Sequence, residues 1–539
     1  MTLSITTQAM ADAYNSFGSY AAAAKELGIC PSALRMRLKA NPEIRAEVPD
    51  YAFIPDATTL PGTHVGEHGV DTLDRWADHE TGVTERYILT SAQNNVKVHE
   101  GFLRNLKALS KYLAAEIMVS YSVYDKAGYR GLQGGGDRTR PKREVWWDKA
   151  VSPYTVNTRV RLAKRLAFCG ELDILATAAN PLSGLDAYCG RSSLIIPHNR
   201  FAFRCVESRP TQMPKEMHTT GSVTVSSFIQ RKTGQLAHFH HVLGALLVEV
   251  TAEGYFHVHH LNAEDDGSFY WLDKRVQDGK VRKSKHFIEG LVLGDIHHEK
   301  IDDEQNDIAF DLVKHFKPKH VMVHDIIDFT SRNHHNIKDP LFRVRKQGVL
   351  VEAEMRATRK WLTKLCKINP DHTQVAIVKS NHDTALTTWI KTTDWKDDPD
   401  NARFYLDLAY HMVTAAEDAM PFDPLKYVLR DPDRPRFVAR FLRLDESYEV
   451  AGVECGMHGH IGPSGTRGMP AGYSRLGFKT FTAHTHTPSI VGGCYTVGVT
   501  GSLKMGYNVG PSKWMHCHGI IYPNGKRAFI FVKNKRWRA

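Results

Sequence analysis

Residues 286–300 read HFIEGLVLGDIHHEK. The apolar run Leu291-Val292-Leu293 stops at Gly294 and delivers Asp295-Ile296-His297. Side chains of a strand alternate between its faces, so Asp295 and His297 are expected to project to one side. One hard oxygen and one imidazole nitrogen make a two-point grip for a divalent cation. The pattern returns downstream. After the helical stretch EQNDIAFDLVKHF (304–316), KHVMVHDIIDFTSRNHHN (319–336) is a second apolar strand that delivers Asp325, with Asp328 behind it. The separation, 325 − 295 = 30 residues, suits strand, helix and strand laid side by side, and a carboxylate there can bridge two metals. A helical run, VEAEMRATRKWLTKLCK (351–367), precedes TQVAIVKSNHDTALTTW (373–389), whose strand presents Asn381, His382 and Asp383. Asparagine offers a neutral oxygen ligand, and His382 beside an acid reads as a general acid oriented by its neighbour. YEVAGVECGMHGHIGPSGTRG (448–468) brings a strand ending at His458, with His460 two residues on. KTFTAHTHTP (479–488) sets His484 and His486 on one strand face with Thr485 turned away, and Pro488 discourages further pairing.

Each piece alone is weak, because Asp and His are common at strand ends. Five of them in order, each after an apolar strand, are specific. The ordered set resembles the calcineurin-like metallophosphoesterase superfamily over about 287–539, a little under half the chain. The resemblance implies a two-sheet β-sandwich flanked by helices, with two metals above the strand ends. It implies one metal on Asp295, His297 and His486, another on Asn381, His458 and His484, and Asp325 between them. His382 then protonates the leaving oxygen or stabilises phosphoryl charge, helped by Asp383. Two departures bear on loop geometry and substrate fit: His324 and Ser380 stand where the family usually has Gly. The choice between His458 and His460 is open, with His458 preferred because Gly459 follows it. Carboxylate, amide and imidazole without thiolate suit two divalent ions, Mn²⁺ first, with Fe²⁺, Zn²⁺ or Mg²⁺ as alternatives.

The chain has 539 residues, 42% hydrophobic and 24% charged, which suits a soluble protein of several domains. No apolar run of ~18 residues is present, so no membrane span is expected. The start lacks a signal-peptide pattern, and a cytoplasmic location is the default, the host cytoplasm if the chain is phage-encoded. Eight scattered cysteines, none in a CxxC, read as reduced thiols. The expected fold class is α/β (α+β) with four segments. Residues 1–45 resemble a helix-turn-helix, with Gly28 as a break, Pro31 opening a helix, and Arg35, Arg37 and Lys39 facing outward. The alternative for them is a helical hairpin used for packing. Residues 46–84, proline-rich, form a linker or arm. Residues 85–286 form an α/β middle domain that opens as strand (ERYILTSAQNN), helix (HEGFLRNLKALSKYLA) and strand (AEIMVSYSVY). Its AHFHH (237–241) and FHVHH (256–260) read as polar strand faces in preference to ligands, because no carboxylate is patterned with them, and its size suggests self-association into a homo-oligomer. Residues 287–539 form the phosphoesterase-like domain. It ends in a hairpin whose Asn524-Gly525 signals a type I′ turn.

Which phosphate such a site takes is a narrower inference. The net charge is 70 − 59 = +11. Basic runs occur at KVRKSK (280–285), RVRK (343–346) and KNKRWRA (533–539), the last offering Trp537 for base stacking. Arg332, His334 and His335 follow the bridging acid and are candidates to touch a phosphate backbone. With the possible helix-turn-helix, these favour DNA as partner. The overall layout is similar to phage-encoded DNA-degrading nucleases and to the SbcD-type exonuclease branch, a resemblance that implies degradation of host DNA. Three functions follow: a Mn²⁺-dependent DNA nuclease, a phosphomonoesterase or nucleotidase, and a non-enzymatic DNA-binding or assembly protein with a structural metal site.

Overall fold

The computed structural model describes residues 5–17, 20–41, 48–55, 75–76, 84–124, 145–209, 212–283, 288–333, 339–433 and 438–539. The chain is mixed α/β and divides into two compact units. One holds residues 1–206, 215–283 and 539; the other holds 207–214 and 284–538. Among the described residues no helix is long and apolar enough to cross a membrane.

The first unit begins with three helices, Thr7–Phe17, Tyr20–Glu26 and Pro31–Ala40. Gly28 turns the chain at φ +64°, and Pro31 opens the third helix, where its missing N–H costs nothing. Leu34 and Leu38, one helical turn apart, are buried with Met10, Ala11, Ala23 and Ala24, which leaves Arg35, Arg37 and Lys39 exposed. Beyond them the strands Glu85–Gln93 and Glu116–Ser122 run parallel, joined by the helix Glu100–Leu113. Phe102, Leu103, Leu106 and Leu109 give that helix its buried face, and Ala114 ends it in the left-handed conformation. The sheet is completed by Gly244–Val250 and Phe256–Asn262.

The two histidine-rich segments of this unit differ from their expected form. AHFHH lies at the end of a helix, Lys232–His240. FHVHH is a strand, but His257, His259 and His260 are buried in it rather than spread on a polar face.

In the second unit, β1 (Gly290–Val292), β2 (His320–His324), β3 (Gln374–Val378) and β4 (Arg440–Phe441) are parallel neighbours, with Leu291 opposite Val321 and Val321 opposite Val375. The crossovers carry α1 (Asp303–Phe316) and α2 (Val351–Cys366), both at the positions expected from their apolar stripes. Asp302 caps α1 by accepting the Gln305 N–H at 2.8 Å. Further strands are β5 (Glu449–Val450), β6 (Val453–Glu454), β7 (Lys479–Thr482), β8 (Ser489–Val491), β9 (Cys494–Thr496), β10 (Cys517–Ile521) and β11 (Arg527–Phe531). β10 pairs with β1 and β11 with β10, while β5, β6, β7, β9 and β8 pair in that order. Phe481 of β7 and Tyr495 of β9 meet Phe529 of β11 with ring centroids 6.2 and 5.3 Å away, and stand 5.7 Å from each other, separations typical of packed rings. These rings join the two sheets. Gly519 is required beneath them, because a Cβ there would come within 2.5 Å of the Phe481 ring.

Three local expectations need correction. The run 448–456 is two short strands folded about Ala451-Gly452, not one. In the terminal hairpin only Gly525 has positive φ, so the connection is not type I′, which needs both central residues there; the turn centres on Pro523-Asn524 and Gly525 closes it, its N–H donating to Tyr522 O at 2.9 Å. Trp537 is buried, donates to Asp311 at 3.0 Å and packs on Phe316, so it offers no stacking face.

Candidate metal centre

β1, β2 and β3 are parallel and in register, so their carboxyl ends lie along one edge, the usual ligand edge of a parallel sheet. From that edge leave the segments 294–297, 325–328 and 380–383, joined by 456–460 and 483–487. The strands stop earlier than alternation implied. Asp295 and His297 follow β1 by three and five residues, and His484 and His486 sit in a bend after β7 rather than on a strand face. What aims them is backbone conformation. His297 (φ 45°), Asp325 (44°), His484 (70°) and His486 (54°) are all left-handed. Such positions cost non-glycine residues about 1–3 kcal/mol each and persist only where neighbours impose them. Here the neighbours are backbone bonds: His297 N–H to Asp325 O at 2.7 Å, Ile296 N–H to His324 O at 3.0 Å and Met515 N–H to His486 O at 3.2 Å.

The result is a buried group in which ligand atoms of Asp295, His297, Asp325 and His486 all lie within 4.8 Å of one another. His297 Nε2 is 3.5 Å from Asp325 Oδ2 and 3.0 Å from His486 Nε2, and His486 Nε2 is 3.3 Å from Asp295 Oδ2. A second group, His297, Asp328 and His382, overlaps it. His458 reaches in from the other side, with Nε2 3.4 Å from Asp325 Oδ2 and Nδ1 3.8 Å from Asp295 Oδ1. The His484 ring stands 5.2 Å from that of His458. His460 lies one ring further out, 5.4 Å from His458 and 6.0 Å from His484. Asn381 contributes a buried Oδ1 that has no hydrogen-bond partner.

The electrostatics explain why such a group calls for a cation. Burial, then the charge of Asp325, pushes Asp295 well above the usual carboxylate range. Burial also pushes Asp325 up, but His458, His382 and His297 reverse this and hold it well below that range. Asp383 is raised to about 6 by burial and by Asp325. Burial holds His486 well below its ordinary value and His484 at about 4, so both imidazoles are neutral, the form that ligates. Both carboxylate oxygens of Asp295, Oδ1 of Asp325 and Oδ1 of Asn381 are buried without hydrogen bonds. Buried acids are normally paired or coordinate a metal. The donors are carboxylate, imidazole and amide, a set that fits a divalent cation, and this buried group could hold one.

His382 packs edge-on against His297, ring centroids 4.7 Å apart. Its acidic neighbour is not Asp383, as adjacency suggested. His382 Nδ1 faces Asp328, 3.4 Å from the carbonyl oxygen and 3.8 Å from Oδ1. Asp383 is fully buried and its N–H donates to Ser380 Oγ at 3.0 Å. Asp328 Oδ1 also stands 3.3 Å from His297 Nδ1, the outer-sphere carboxylate that commonly fixes a ligating histidine. Glu299 in turn accepts the N–H groups of Asp328 and Phe329 at 2.7 and 3.1 Å. Asp328 was visible as the second acid of Asp-x-x-Asp; Glu299 had no sequence signal.

The proposed backbone contacts fare differently. Arg332 is not available to a phosphate, because its guanidinium grips both oxygens of Asp398 at 2.6 Å. His334 and His335 lie outside the described residues. Arg35, Arg37 and Lys39 belong to the first unit.

No protein-family model matches the chain, and no solved structure matches it. The chain is 38% identical over 491 residues to "Protein A1" of Escherichia phage T5, a match covering 87% of this chain and 85% of that protein. The chain belongs to the protein A1 family. A matched span of 491 residues exceeds either unit alone, so membership of the protein A1 family takes in residues of both. The name protein A1 states a phage source and no chemistry.

Proposed function

We propose that this chain is a metal-dependent phosphodiesterase that cuts DNA, with the second unit as a calcineurin-like metallophosphoesterase domain. The observation that carries the reading is the buried convergence of Asp295, His297, Asp325 and His486 with His382 packed on His297. These four would hold one divalent cation, and Asp325, Asn381, His458 and His484 a second, Mn²⁺ being the first choice. Bound there, such ions supply Lewis-acid polarisation of a phosphoryl group and lower the pKa of water. The chain's own part is to orient and to move protons. Asp328 engages Nδ1 of His382, which leaves Nε2 for the leaving oxygen of the phosphodiester. As water adds to phosphorus, giving up a proton to solvent, and the ester P–O bond breaks, His382 gives its own proton to the leaving oxygen. Asp328 steadies the imidazolium and His297 together. The net charge of +11 and the phage relative support DNA as substrate, cut in the cytoplasm of an infected host.

The test sets duplex DNA, single-stranded DNA and a generic phosphomonoester side by side, after chelation and after Mn²⁺ is returned. DNA cleavage that vanishes in chelator and recovers with Mn²⁺ is the expected result. Hydrolysis of the monoester alone would make the chain a phosphatase or nucleotidase, and DNA binding without cleavage would make it a binding protein.

A further inference from the structure

The segment between β9 and β10 meets the candidate metal centre at Thr500, whose N–H donates to Asp295 O at 2.7 Å. Its base is clasped by Glu207 and Ser208, which group with the second unit. Ser208 and Ser512 exchange backbone hydrogen bonds at 3.0 and 3.1 Å, and Lys513 pairs with Glu207 at 2.9 Å. So anchored, the segment places Trp514 against His486, ring centroids 4.1 Å apart, and Tyr507 5.9 Å from Trp514. His486 is 4.9 Å from His297, and His297 is 4.7 Å from His382. Five rings therefore form one ladder from the candidate proton donor to the surface: His382, His297, His486, Trp514, Tyr507. The outermost, Tyr507, is 40% exposed, and its hydroxyl donates to Met505 Sδ at 3.0 Å. Burial, then the charges of Asp328, Asp325 and Asp295, raises the Tyr507 phenol above its ordinary value, which places the ring within electrostatic reach of the acids. An aromatic side chain kept half-exposed beside such a cluster needs an explanation that packing alone does not give.

We propose that Tyr507, backed by Trp514, is a stacking platform for the nucleobase next to the scissile phosphate. The inference rests on the DNA-cleaving reading above and adds where the substrate's base goes. A platform of this kind accepts any base, because every base has a π-face, and it carries no sequence preference of its own. The ring is the working part and the hydroxyl is not, since the hydroxyl is turned to Met505.

The experiment maps Mn²⁺-dependent cleavage along a single-stranded oligonucleotide, with and without one abasic position. In the parent, phosphates beside the abasic position should be cut about five-fold to about a hundred-fold more slowly than the same phosphates beside a base. Tyr507→Ala should slow cleavage beside bases to the abasic rate and leave the abasic rate as it was. Tyr507→Phe should behave as the parent, and Tyr507→Leu, which keeps bulk without a ring, should behave as Tyr507→Ala. Equal slowing at both kinds of position would make Tyr507 a positioning residue for the centre and overturn the platform. No slowing at either would overturn it as well. A parent that cuts no DNA at all overturns the nuclease reading, and the platform falls with it.

Discussion

Two regions of this molecule bury histidines beside acids, and they do so in opposite ways. In the first unit, Glu249 lies between Arg86 at 3.0 Å and His259 at 3.1 Å, and Glu216 meets His218 at 3.0 Å. All of these residues sit on regular strands, each acid has a basic partner, and the Phe203 ring stacks on His218 at 4.4 Å. In the second unit Asp295 lies in the field of Asp325 and Asp383, its oxygens carry no hydrogen bond, and His297, Asp325, His484 and His486 stand on left-handed backbone. Glu249 and Asp295 mark the difference. Burial raises Glu249, but His259 and Arg86 reverse this and hold it at about 2, whereas Asp295 is driven up by burial and by a second acid. A buried His–Glu set that balances its own charge is architecture. One that leaves charge unbalanced, on strained backbone, is built for something else.

The comparison breaks most visibly at Asp325. Asp325→Asn should lower DNA cleavage by about a hundred-fold or more, since even outer-sphere partners of metal ligands cost ~10–100-fold. The parent should gain ~2.7 kcal/mol of stability in Mn²⁺ at a hundred times its dissociation constant, and the variant should lose that gain. Thermal unfolding with and without Mn²⁺ reads both. Glu249→Gln tests the other region. Removing one partner of a buried ion pair should destabilise the protein by about 3–5 kcal/mol, with the Mn²⁺ response unchanged. The pH dependence has a definite sign. Glu249 is depressed from 4.5 to about 2, so its contribution is complete above pH 4.5 and is lost as pH falls toward 2. Urea unfolding across that window should show the loss in the parent and a flatter profile in the variant. Asp328→Asn should come next, cutting DNA cleavage by ~10–100-fold while Mn²⁺ still binds, because it orients His297 and His382 from outside. Direct metal-binding titration separates it from Asp325→Asn.

Much of this contrast was legible in the sequence, for identifiable reasons. The apolar runs before Asp295, Asp325 and Asn381 mark buried parallel strands, and strand–helix–strand spacing places their ends together. The amphipathic stripe of Glu100–Leu113 marks its helix in the same way. Alternation gave the wrong reason for the aim of His484 and His486, because left-handed φ at a non-glycine residue leaves no trace in composition. Adjacency misassigned the acid beside His382, because Asp328 reaches it through space from another loop. The helix Lys232–His240 was obscured by Gly234 and by a weakly amphipathic pattern, and the basic tail concealed that Trp537 turns inward to Asp311. The aromatic ladder through Trp514 and Tyr507 depends on contacts between segments far apart in sequence, which no local pattern encodes.

The smallest effect tests the edge of the second region. His458 and His460 are two residues apart, and sequence left the choice between them open. In the structure His458 reaches both Asp325 and Asp295, while His460 lines a cavity of about 410 Å³ with His458, Lys379, Met457, Ile461 and Phe478. Burial, then His458, lowers His460 to about 4, as burial lowers His484. If the unbalanced acids define the centre, His458 belongs to it and His460 only borders it. His460→Ala should therefore lower Mn²⁺ affinity by less than about ten-fold, the mild end for a group outside the ligand set, and His458→Ala by considerably more. Metal titration of the two variants in parallel measures the difference. Equal losses would move the boundary of the unbalanced region out to His460 and make the cavity beside it part of the centre.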